Sequence, residues 1–355
     1  MASLVHRMPL RIGVDAWNLL GDRRGIGRYV RALLREWSTT FKNGVDLTLL
    51  IPEWPAWWYA AAYRRESQPK LRVRSRNKAG AADIDVLWFP WNGLSWTARK
   101  PKVAVLHDAS LFTLQLPPAK REQELIPFRR AVNEGAHIVT DSEFSKRELG
   151  RYLNLRSETI DAVPLGVDLP QTPADGAKPQ LPFTAPYLLF VGEFEQRKGI
   201  DILLEAVNQL PTDVRSEIGL VLAGEAHSTM EIACAVPTAV LGHVDDRTLS
   251  ALYRNAAVFV YPSRYEGFGL PVLEAMAHGT PVVASNAGGI PEAGGDAARY
   301  FESGDADQLA AALTEVLRDP AVAEDLRVRG QQRAREMPWS ATTRTTLEII
   351  SRVCQ

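Results

Sequence analysis

Residues 261–279 read YPSRYEGFGLPVLEAMAHG, which predicts a strand end, a glycine loop and a short buried helix. Pro271 suits the first turn because its missing N–H would have no partner there, and Gly279 suits the position just past the helix end. The N-terminus of such a helix carries free backbone N–H groups and the positive end of the helix dipole. The stretch therefore predicts a site for an anion such as a diphosphate, flanked by two carboxylates, Glu266 and Glu274.

Around this stretch, short apolar runs alternate with helical patterns in two series. The predicted strands are residues 10–16, 45–51, 86–90, 102–107, 137–141 and 159–164 in the first series, and 187–191, 219–223, 239–241, 258–261 and 281–284 in the second. Such alternation predicts an α/β protein with two mostly parallel, doubly wound sheets. Residues 170–186 carry the prolines expected of a linker. We therefore predict a first domain over 1–169 and a second over 187–337.

Composition excludes several classes of partner. Lys and Arg (41) nearly balance Asp and Glu (42), so the net charge of -1 gives no overall field for nucleic acid, although a local patch remains open. The two cysteines, Cys234 and Cys354, have no disulfide or metal spacing, which favours a reduced, cytoplasmic setting. No apolar run reaches the ~18 residues of a membrane span.

Polar residues follow three of the predicted strands. Arg197 and Lys198 precede a helix and are placed to clamp a phosphate from the side opposite the Glu266 loop; the alternative is a solvated turn. His107 and Asp108 end a strand, where open α/β sheets bind ligands, unless His107 only satisfies a backbone carbonyl. The loop 21–27, GDRRGIG, is either a ligand loop or a plain tight turn.

Seven motifs together carry a family resemblance. They are GIGRY at 25–29, LHD at 106–108, SEFSKREL at 142–149, VPLGVD at 163–168, VGEFEQRKGID at 191–201, LGHVDD at 241–246 and PSRYEGFGLPVLEAMAHGTPVVAS at 262–285. With them the chain resembles the retaining, nucleotide-sugar-dependent glycosyltransferases of family four, which have the GT-B fold, and in particular their bacterial mannosyltransferase-like branch. The resemblance implies two Rossmann-like domains that face each other across a cleft, with a last helix, 338–355, packed back on the first domain.

The resemblance also implies roles for individual residues. Arg197 and Lys198 would bind the donor diphosphate together with the backbone N–H groups of Gly269 and Leu270, while Glu274 would accept from the ribose hydroxyls and Glu266 from the sugar. His107 would face the donor sugar from the other domain. The implied catalytic residues are His107, Glu266, Arg197 and Lys198. The implied donor-binding residues are Gly25, Gly27, Asp108, Arg197, Lys198, Val244, Glu266, Gly267, Phe268, Gly269, Leu270 and Glu274.

The implied reaction is front-face substitution with retention, in which the leaving diphosphate helps to deprotonate the acceptor hydroxyl. We expect no metal and no cofactor, because cationic side chains can neutralise the diphosphate. GDP-mannose is the expected donor, with UDP- and dTDP-linked sugars as the open alternatives. A glycan or lipid-linked hydroxyl is the expected acceptor. A sugar phosphorylase, a nucleotide-sugar epimerase and a non-catalytic binder of sugar nucleotides are the alternatives.

Residues 54–76 place tryptophan and tyrosine beside arginine and lysine. Trp54, Trp57, Trp58, Tyr59 and Tyr63 precede a basic run that consists of Arg64, Arg65, Lys70, Arg72, Arg74 and Arg76. Aromatic residues beside cations suit an anionic membrane surface, here the inner face of the plasma membrane, or a lipid-linked acceptor. The alternative is a core-packing helix with a solvated end.

Overall fold

The computed structural model describes residues 9–22, 25–53, 56–65, 71–114, 116–170, 179–225 and 232–355. Within 56–65 it describes the side chains of Trp58, Tyr59, Ala61, Ala62 and Tyr63. The chain divides into two compact units. Unit 1 comprises Met1–Leu165 with Trp339–Gln355, and unit 2 comprises Gly166–Pro338. Part of the predicted linker, residues 171–178, lies outside the described residues, and the predicted domain boundaries stay predictions.

The described strands and helices follow one another along the chain. The strands are β1 Leu10–Asp15, β2 Val45–Ile51, β3 Arg72–Ser75, β4 Val86–Phe89, β5 Lys102–Val105, β6 His137–Thr140, β7 Ile160–Ala162, β8 Tyr187–Val191, β9 Gly219–Ala223, β10 Thr238–Gly242, β11 Val258–Tyr261, β12 Val282–Ser285 and β13 Arg299–Phe301. The helices are α1 Gly25–Thr39, α2 Ala56–Arg65, α3 Ser110–Thr113, α4 Pro118–Asn133, α5 Glu143–Leu153, α6 Ile200–Gln209, α7 Thr212–Arg215, α8 Asp246–Asn255, α9 Leu270–Ala277, α10 Ile290–Gly294, α11 Ala306–Arg318, α12 Pro320–Glu336 and α13 Trp339–Val353.

Each unit contains one parallel sheet with the strand order of a doubly wound fold. The order in unit 1 is β3-β2-β1-β4-β5-β6-β7, and in unit 2 it is β10-β9-β8-β11-β12-β13. The order reverses between β1 and β4 in unit 1 and between β8 and β11 in unit 2. Ligands of such sheets bind beyond the carboxyl ends of the strands at this reversal. The predicted α/β class with two doubly wound sheets is confirmed.

Two strands were missed by the apolar pattern. The edge strand β3 has arginines at two of its four positions, so it lacks the apolar run expected of a strand in a buried parallel sheet. The other edge strand, β13, has only three residues. Both lie at sheet edges, where one neighbour is enough to hold a strand, and neither borders the strand-order reversal.

The last helix, α13, completes the core of unit 1. It packs against α1, where the indole N–H of the fully buried Trp37 donates to the carbonyl of Thr343 at 3.3 Å. The buried hydroxyl of Thr346 donates back to the carbonyl of Thr342 in the same helix, and that of Thr342 donates to the carbonyl of Pro164. The polar groups of this face are thus satisfied without water, as burial requires.

We predict that Trp37→Phe destabilises unit 1. The change removes a buried hydrogen bond and leaves a small cavity, which together cost about 2 kcal/mol or more. The midpoint of urea unfolding, followed by far-UV circular dichroism, should fall. Trp17→Phe is the matched control, because Trp17 is 47% exposed and its indole should tolerate the change. Equal midpoints for the two variants would contradict the packing of α13 described here.

Candidate active site

The candidate site in unit 2 is built from two loops that follow neighbouring strands. The first loop follows β8 and contains a 3-10 turn at Gln196–Lys198, and the second follows β11 and leads into α9. Because β8 and β11 flank the reversal of strand order, both loops leave the sheet at the edge where ligands bind. The backbone joins the loops directly, since the N–H of Arg264 donates to the carbonyl of Arg197 at 2.7 Å.

Glycine at position 199 allows this contact between the loops. Gly199 has φ +69°, and a Cβ atom there would lie 2.1 Å from the carbonyl oxygen of Pro262. A side chain would therefore both strain the backbone and collide with the second loop. Just beyond it, the guanidinium of Arg264 pairs with both carboxylate oxygens of Asp201, at 2.8 and 2.6 Å.

The two loops meet in a buried cluster of charges. Oε1 of Glu266 accepts from Nζ of Lys198 at 2.7 Å and from Nη1 of Arg197 at 3.2 Å. Nζ of Lys198 also donates to the hydroxyl of Tyr261 at 3.1 Å, and Nη1 of Arg197 to the carbonyl of Tyr265 at 3.0 Å. The side chains of Lys198 and Glu266 are only 12% and 11% exposed. The solvated turn considered for Arg197 and Lys198 is therefore wrong, because both cations hold a carboxylate of the second loop.

The cluster shifts the titration of its own members. Burial alone would raise the pKa of Glu266, but Lys198 and Arg197 overcome that effect and hold this pKa below its usual value. Burial lowers the pKa of Lys198, but the charge of Glu266, the neighbouring Tyr261 and the hydrogen bond to Glu266 together raise it by more, so the net shift is upward. Burial and the neighbouring Glu266 raise the pKa of Tyr261 to about 12. Glu266 and Lys198 are accordingly both charged over the physiological pH range.

The N-terminus of α9 lies at the end of the same loop. Gly269 has φ +108° and precedes the first helical residue, Leu270. In the part of the chain that the structure describes, neither the N–H of Gly269 nor that of Leu270 has an acceptor. These groups are thus placed to donate to an anion, as the sequence predicts.

Two adjacent glycines, Gly288 and Gly289, pack closely against the backbone of the loop before α9. A Cβ atom at Gly288 would lie 2.3 Å from the carbonyl oxygen of Glu266, and one at Gly289 would lie 2.2 Å from that of Gly267. The N–H of Gly289 donates to the carbonyl of Glu266 at 2.9 Å. The sequence NAGGIP at 286–291 therefore fixes the position of Glu266, a function that the motif analysis did not assign to it.

The second carboxylate of the motif has a different environment. Glu274 lies in α9 and accepts from the hydroxyl of Tyr253, in α8, at 3.1 Å through its Oε2 atom. Tyr253 itself stacks on His278 with ring centroids 5.3 Å apart, and Nδ1 of His278 bonds to the carbonyl of Glu274 at 2.8 Å. Tyr253 of α8 thus holds the carboxylate of Glu274, and His278 holds its backbone carbonyl.

Two other predicted donor-binding residues of unit 2 lie in loops. Phe268 is buried in the glycine loop before α9. Val244 lies in the loop between the edge strand β10 and α8 and is half-buried. The structure thus brings Arg197, Lys198 and Glu266 into direct contact, and it places Val244 at the far side of β9 from the reversal.

In unit 1, His107 is held by two acceptors just past the end of β5. Its Nδ1 lies 2.8 Å from Oδ2 of Asp141, and its Nε2 lies 3.1 Å from the carbonyl oxygen of Pro90. Burial lowers the pKa of His107, but the Asp141 carboxylate and the two hydrogen bonds raise it by more. Only the doubly protonated ring donates to both acceptors, which agrees with this direction. His107 satisfies a carbonyl, as the alternative had it, and its catalytic role stays a prediction.

The other predicted residues of unit 1 have local contacts. Oδ1 of Asp108 accepts from the N–H of Ser110 at 2.8 Å, at the start of α3. Gly25 and Gly27 lie in the first turn of α1 and not in a loop, which corrects the expectation for 21–27. A Cβ atom at Gly27 would lie 2.0 Å from the carbonyl oxygen of Asp22, so close packing requires this glycine. Residues 23 and 24 lie outside the described part of the chain.

Reasoning from the sequence missed three supporting residues. Tyr261 is the last residue of β11 and was interpreted only as a strand end. Asp141 directly precedes the SEFSKREL motif and ends a predicted strand, the same position that singled out His107 and Asp108. Asp15 ends β1 beside the strand-order reversal of unit 1 and accepts from the hydroxyl of Ser95 at 2.5 Å. Burial raises the pKa of Asp15 to about 6.

The aromatic and basic stretch at 54–76 is partly neutralised. Tyr59 and Tyr63 are buried, whereas Trp58 is 54% exposed. Arg72 pairs with Asp46, and Arg74 pairs with Asp83 at 2.8 Å. The side chains of Trp54, Trp57, Arg64, Arg65 and Lys70 lie outside the described residues. No helix in the described ranges is long and apolar enough to cross a membrane.

The positive charge beside Glu266 belongs to Arg197 and Lys198, at 3.2 and 2.7 Å. Across the described parts of both units, no three His, Cys, Asp or Glu side chains come together in a way that could hold a metal ion.

Two protein families match successive parts of the sequence. The family described as glycosyltransferase family 4 matches residues 23–171, and the one described as glycosyl transferases group 1 matches 172–337. The O-antigen chain mannosyltransferase B of Escherichia coli is 33% identical over 262 residues, which cover 69% of this chain and 68% of that protein. The MMP α-(1->4)-mannosyltransferase of Mycolicibacterium hassiacum is 30% identical over 234 residues, covering 63% and 56%.

Solved structures show the same fold at low identity. Anabaena HepE in complex with UDP and glucose superposes with a TM-score of 0.73 at 18% identity, covering 97% of this chain and 100% of that one. A glycosyltransferase from Rickettsia africae gives a TM-score of 0.72 at 14% identity and covers 98% and 99%. At these identities the likeness concerns the fold.

We predict that Asp141→Asn lowers the pKa of His107. The variant removes the carboxylate that stabilises the imidazolium, while burial continues to favour the neutral ring. A two-dimensional NMR titration of the imidazole nitrogens measures this pKa directly. Asp108→Asn is the control, because Asp108 is a weaker influence on the same ring and should shift its pKa less.

The same shift has a consequence for stability. The pKa of His107 is higher in the folded state than in the unfolded state, where it is about 6.5. The protonated His107 therefore stabilises the folded state fully at pH values below about 6.5, and this stabilisation is lost as the pH rises through the pKa of the folded state. Asp141→Asn should remove this loss. An unchanged pKa in Asp141→Asn would show that the pair does not control the ring.

Proposed function

The chain belongs to the glycosyltransferases of family four, and from that premise we propose that it transfers a hexose, with retention, from a nucleoside diphosphate sugar to a hydroxyl of a glycan. The observation that carries the proposal is the cluster in unit 2 in which Lys198 and Arg197 lie beside Glu266 in the loop that leads to α9. Together they offer positive charge and backbone N–H groups to one anionic ligand.

The donor diphosphate is the anion that this arrangement suits. Nζ of Lys198 has three N–H groups, of which two donate to Glu266 and Tyr261, so one remains for a phosphate oxygen. Nη2 of Arg197 also lies 3.8 Å from the carboxylate of Glu195, which is 37% exposed, so Glu266 is the buried one of the two carboxylates that face these cations. The N–H groups of Gly269 and Leu270 add donors at the positive end of the helix dipole. In this proposal Lys198, Arg197, Gly269 and Leu270 hold the diphosphate.

In this proposal, Glu274 and Glu266 bind different parts of the donor. Glu274 is assigned to the ribose hydroxyls, since a carboxylate accepts from two hydroxyl donors and Tyr253 fixes its orientation. Glu266 is assigned to the hydroxyls of the transferred sugar. Because both cations donate to its Oε1 atom, the carboxylate has acceptor capacity left at Oε2.

The proposed reaction breaks the bond between the anomeric carbon and the diphosphate oxygen. The acceptor oxygen forms its new bond on the same face, and its proton passes to the leaving phosphate. Negative charge therefore grows on the diphosphate, where Lys198 and Arg197 stabilise it more in the transition state than in the ground state. A covalent route would need a free carboxylate nucleophile. Glu266 is ion-paired with two cations, which favours the direct route.

Mannose is proposed as the transferred sugar and GDP-mannose as the donor. Support comes from the relatives that are named mannosyltransferases, at 33% and 30% identity. The solved complex of HepE contains UDP and glucose, so uridine donors belong in the same test. No cofactor is proposed, and the two cations replace a metal ion in neutralising the diphosphate.

A glycan hydroxyl is proposed as the acceptor in preference to a group recognised through a membrane surface. Of the described residues in the stretch 54–76, Tyr59 and Tyr63 are buried, and Arg72 and Arg74 pair with aspartates. Those arginines are not available to anionic lipid without breaking an ion pair. The membrane contact therefore has less support than the glycan.

Incubation with GDP-mannose and a mannose-terminated oligosaccharide tests the proposal. We expect GDP release, a product one hexose longer, an α linkage by NMR from the α-linked donor, and activity that persists in EDTA. Release that requires inorganic phosphate, or donor conversion without any acceptor, would indicate the phosphorylase or epimerase alternative. A β linkage would contradict retention.

Thermal shift with GDP-, UDP- and dTDP-sugars ranks the donors, because a bound donor raises Tm.

We predict that Lys198→Met lowers kcat by about a hundredfold at saturating donor. The variant removes one preorganised donor to the developing charge, which is worth about 3 kcal/mol. It also leaves the buried Glu266 with Arg197 as its remaining cationic partner, so Tm should fall as well. The rate of nucleoside diphosphate release measures the first effect, and scanning fluorimetry measures the second.

Lys120→Met is the matched control, because Lys120 is exposed and lies in unit 1. It should keep both the rate and Tm of the original protein. A folded Lys198→Met variant with unchanged kcat would remove Lys198 from the proposed site.

A further inference from the structure

A cavity of ligand size lies in unit 1, and its lining includes none of the residues assigned to the donor. It has a volume of about 710 Å³ and lies between the segment after β3 and the segment before β5. Its lining consists of Arg76, Asn77, Ala79, Gly80, Leu87, Trp96, Thr97, Ala98, Arg99 and Lys100. All ten residues belong to the described part of unit 1.

The lining carries three positive charges and no negative one. Arg76, Arg99 and Lys100 are its charged members, whereas the whole protein has a net charge of -1. The cavity is therefore a local basic patch that the overall charge conceals. A concave surface of one sign concentrates ions of the opposite sign.

Within the described residues, none of the three cations forms an ion pair. Lys100 lies close enough to Asp85 to help lower the pKa of that carboxyl, but Asp85 is already paired with Arg11. The neighbouring arginines of β3, by contrast, pair with aspartates. Arg72 and Arg74 thus pair with aspartates, whereas Arg76 lines the cavity and lies close enough to Asp15 to lower the pKa of that carboxyl.

The remaining lining favours a ring over a long chain. Trp96 contributes an aromatic side chain, and Asn77 and Thr97 contribute neutral hydrogen-bonding groups. Leu87 is the largest aliphatic member of the lining. Aromatic walls combined with a few polar groups are typical of sites for small molecules, and the volume lies in their range.

We propose that this cavity binds a phosphorylated saccharide. The proposal depends on the cavity of unit 1 alone and not on the function proposed for unit 2. The phosphate would lie among Arg76, Arg99 and Lys100, and the sugar ring beside Trp96. Arginine and lysine both bind phosphate through charge-assisted hydrogen bonds.

Isothermal titration with mannose 6-phosphate, methyl mannoside and inorganic phosphate tests the site. We expect the phosphorylated sugar to bind more tightly than either of the others. The double variant Arg99→Ala/Lys100→Ala should weaken its binding by about tenfold or more, because two charged contacts are lost. Lys42→Ala/Lys120→Ala loses the same charge from exposed positions of unit 1 outside the cavity and should bind like the original protein.

Each other outcome would overturn the proposal. Equal binding of methyl mannoside would exclude a role for the phosphate, and equal binding of inorganic phosphate would exclude the sugar. Equal weakening in both double variants would indicate attraction by net charge alone. Binding to phosphatidylglycerol vesicles that is lost only in Arg99→Ala/Lys100→Ala, without binding of the phosphorylated sugar, would assign the cations to a lipid headgroup.

Donor binding by the same proteins separates this inference from the proposed function. The Tm shift with GDP-mannose reports on unit 2, and titration with mannose 6-phosphate reports on unit 1. Absence of the Tm shift would count against the donor site and leave the cavity standing. Absence of phosphorylated-sugar binding would count against the cavity and leave the donor site standing.

Discussion

The structure of unit 2 depends on one buried carboxylate. Glu266 is 9% exposed, and a desolvated carboxylate stays ionised only where cations and donors compensate it. Lys198 and Arg197 compensate the charge of Glu266 from the other loop. They precede Glu266 in the sequence by 68 and 69 residues. The ion pairs therefore tie together the two loops that flank the strand-order reversal. They also preorganise two cations at the place where a diphosphate would need them.

The backbone makes these ion pairs possible through glycines at close contacts. Gly199 brings the first loop against Pro262, and Gly288 lies against the carbonyl of Glu266. In both cases the backbone has positive φ and there is no room for a Cβ atom, so no other residue fits without movement. In unit 1, the His107 ring is oriented by hydrogen bonds to the Asp141 carboxylate and to the Pro90 carbonyl. The function proposed for unit 2 thus rests on a rigid arrangement.

Much of the fold could be predicted from the sequence because buried parallel strands are continuous apolar runs. The edge strands β3 and β13 could not, since one carries two arginines and the other has three residues. In the site, strand ends and helix starts indicated Arg197, Lys198 and Glu266, but not that they pair. Side chains at the ends of different strands come together only through the strand order. The same reason explains why Asp141 was missed beside His107. It also explains why the sequence does not distinguish Arg74, which pairs with Asp83, from Arg76, which lines the cavity.

A crystal structure with GDP bound would show whether Lys198 and the start of α9 hold the donor diphosphate. We expect a β-phosphate oxygen about 3 Å from Nζ of Lys198 and from the N–H groups of Gly269 and Leu270. We also expect Glu274 to contact the ribose. A diphosphate bound elsewhere, with the Lys198–Glu266 pair unchanged and the N-terminus of α9 free of phosphate, would exclude this donor site.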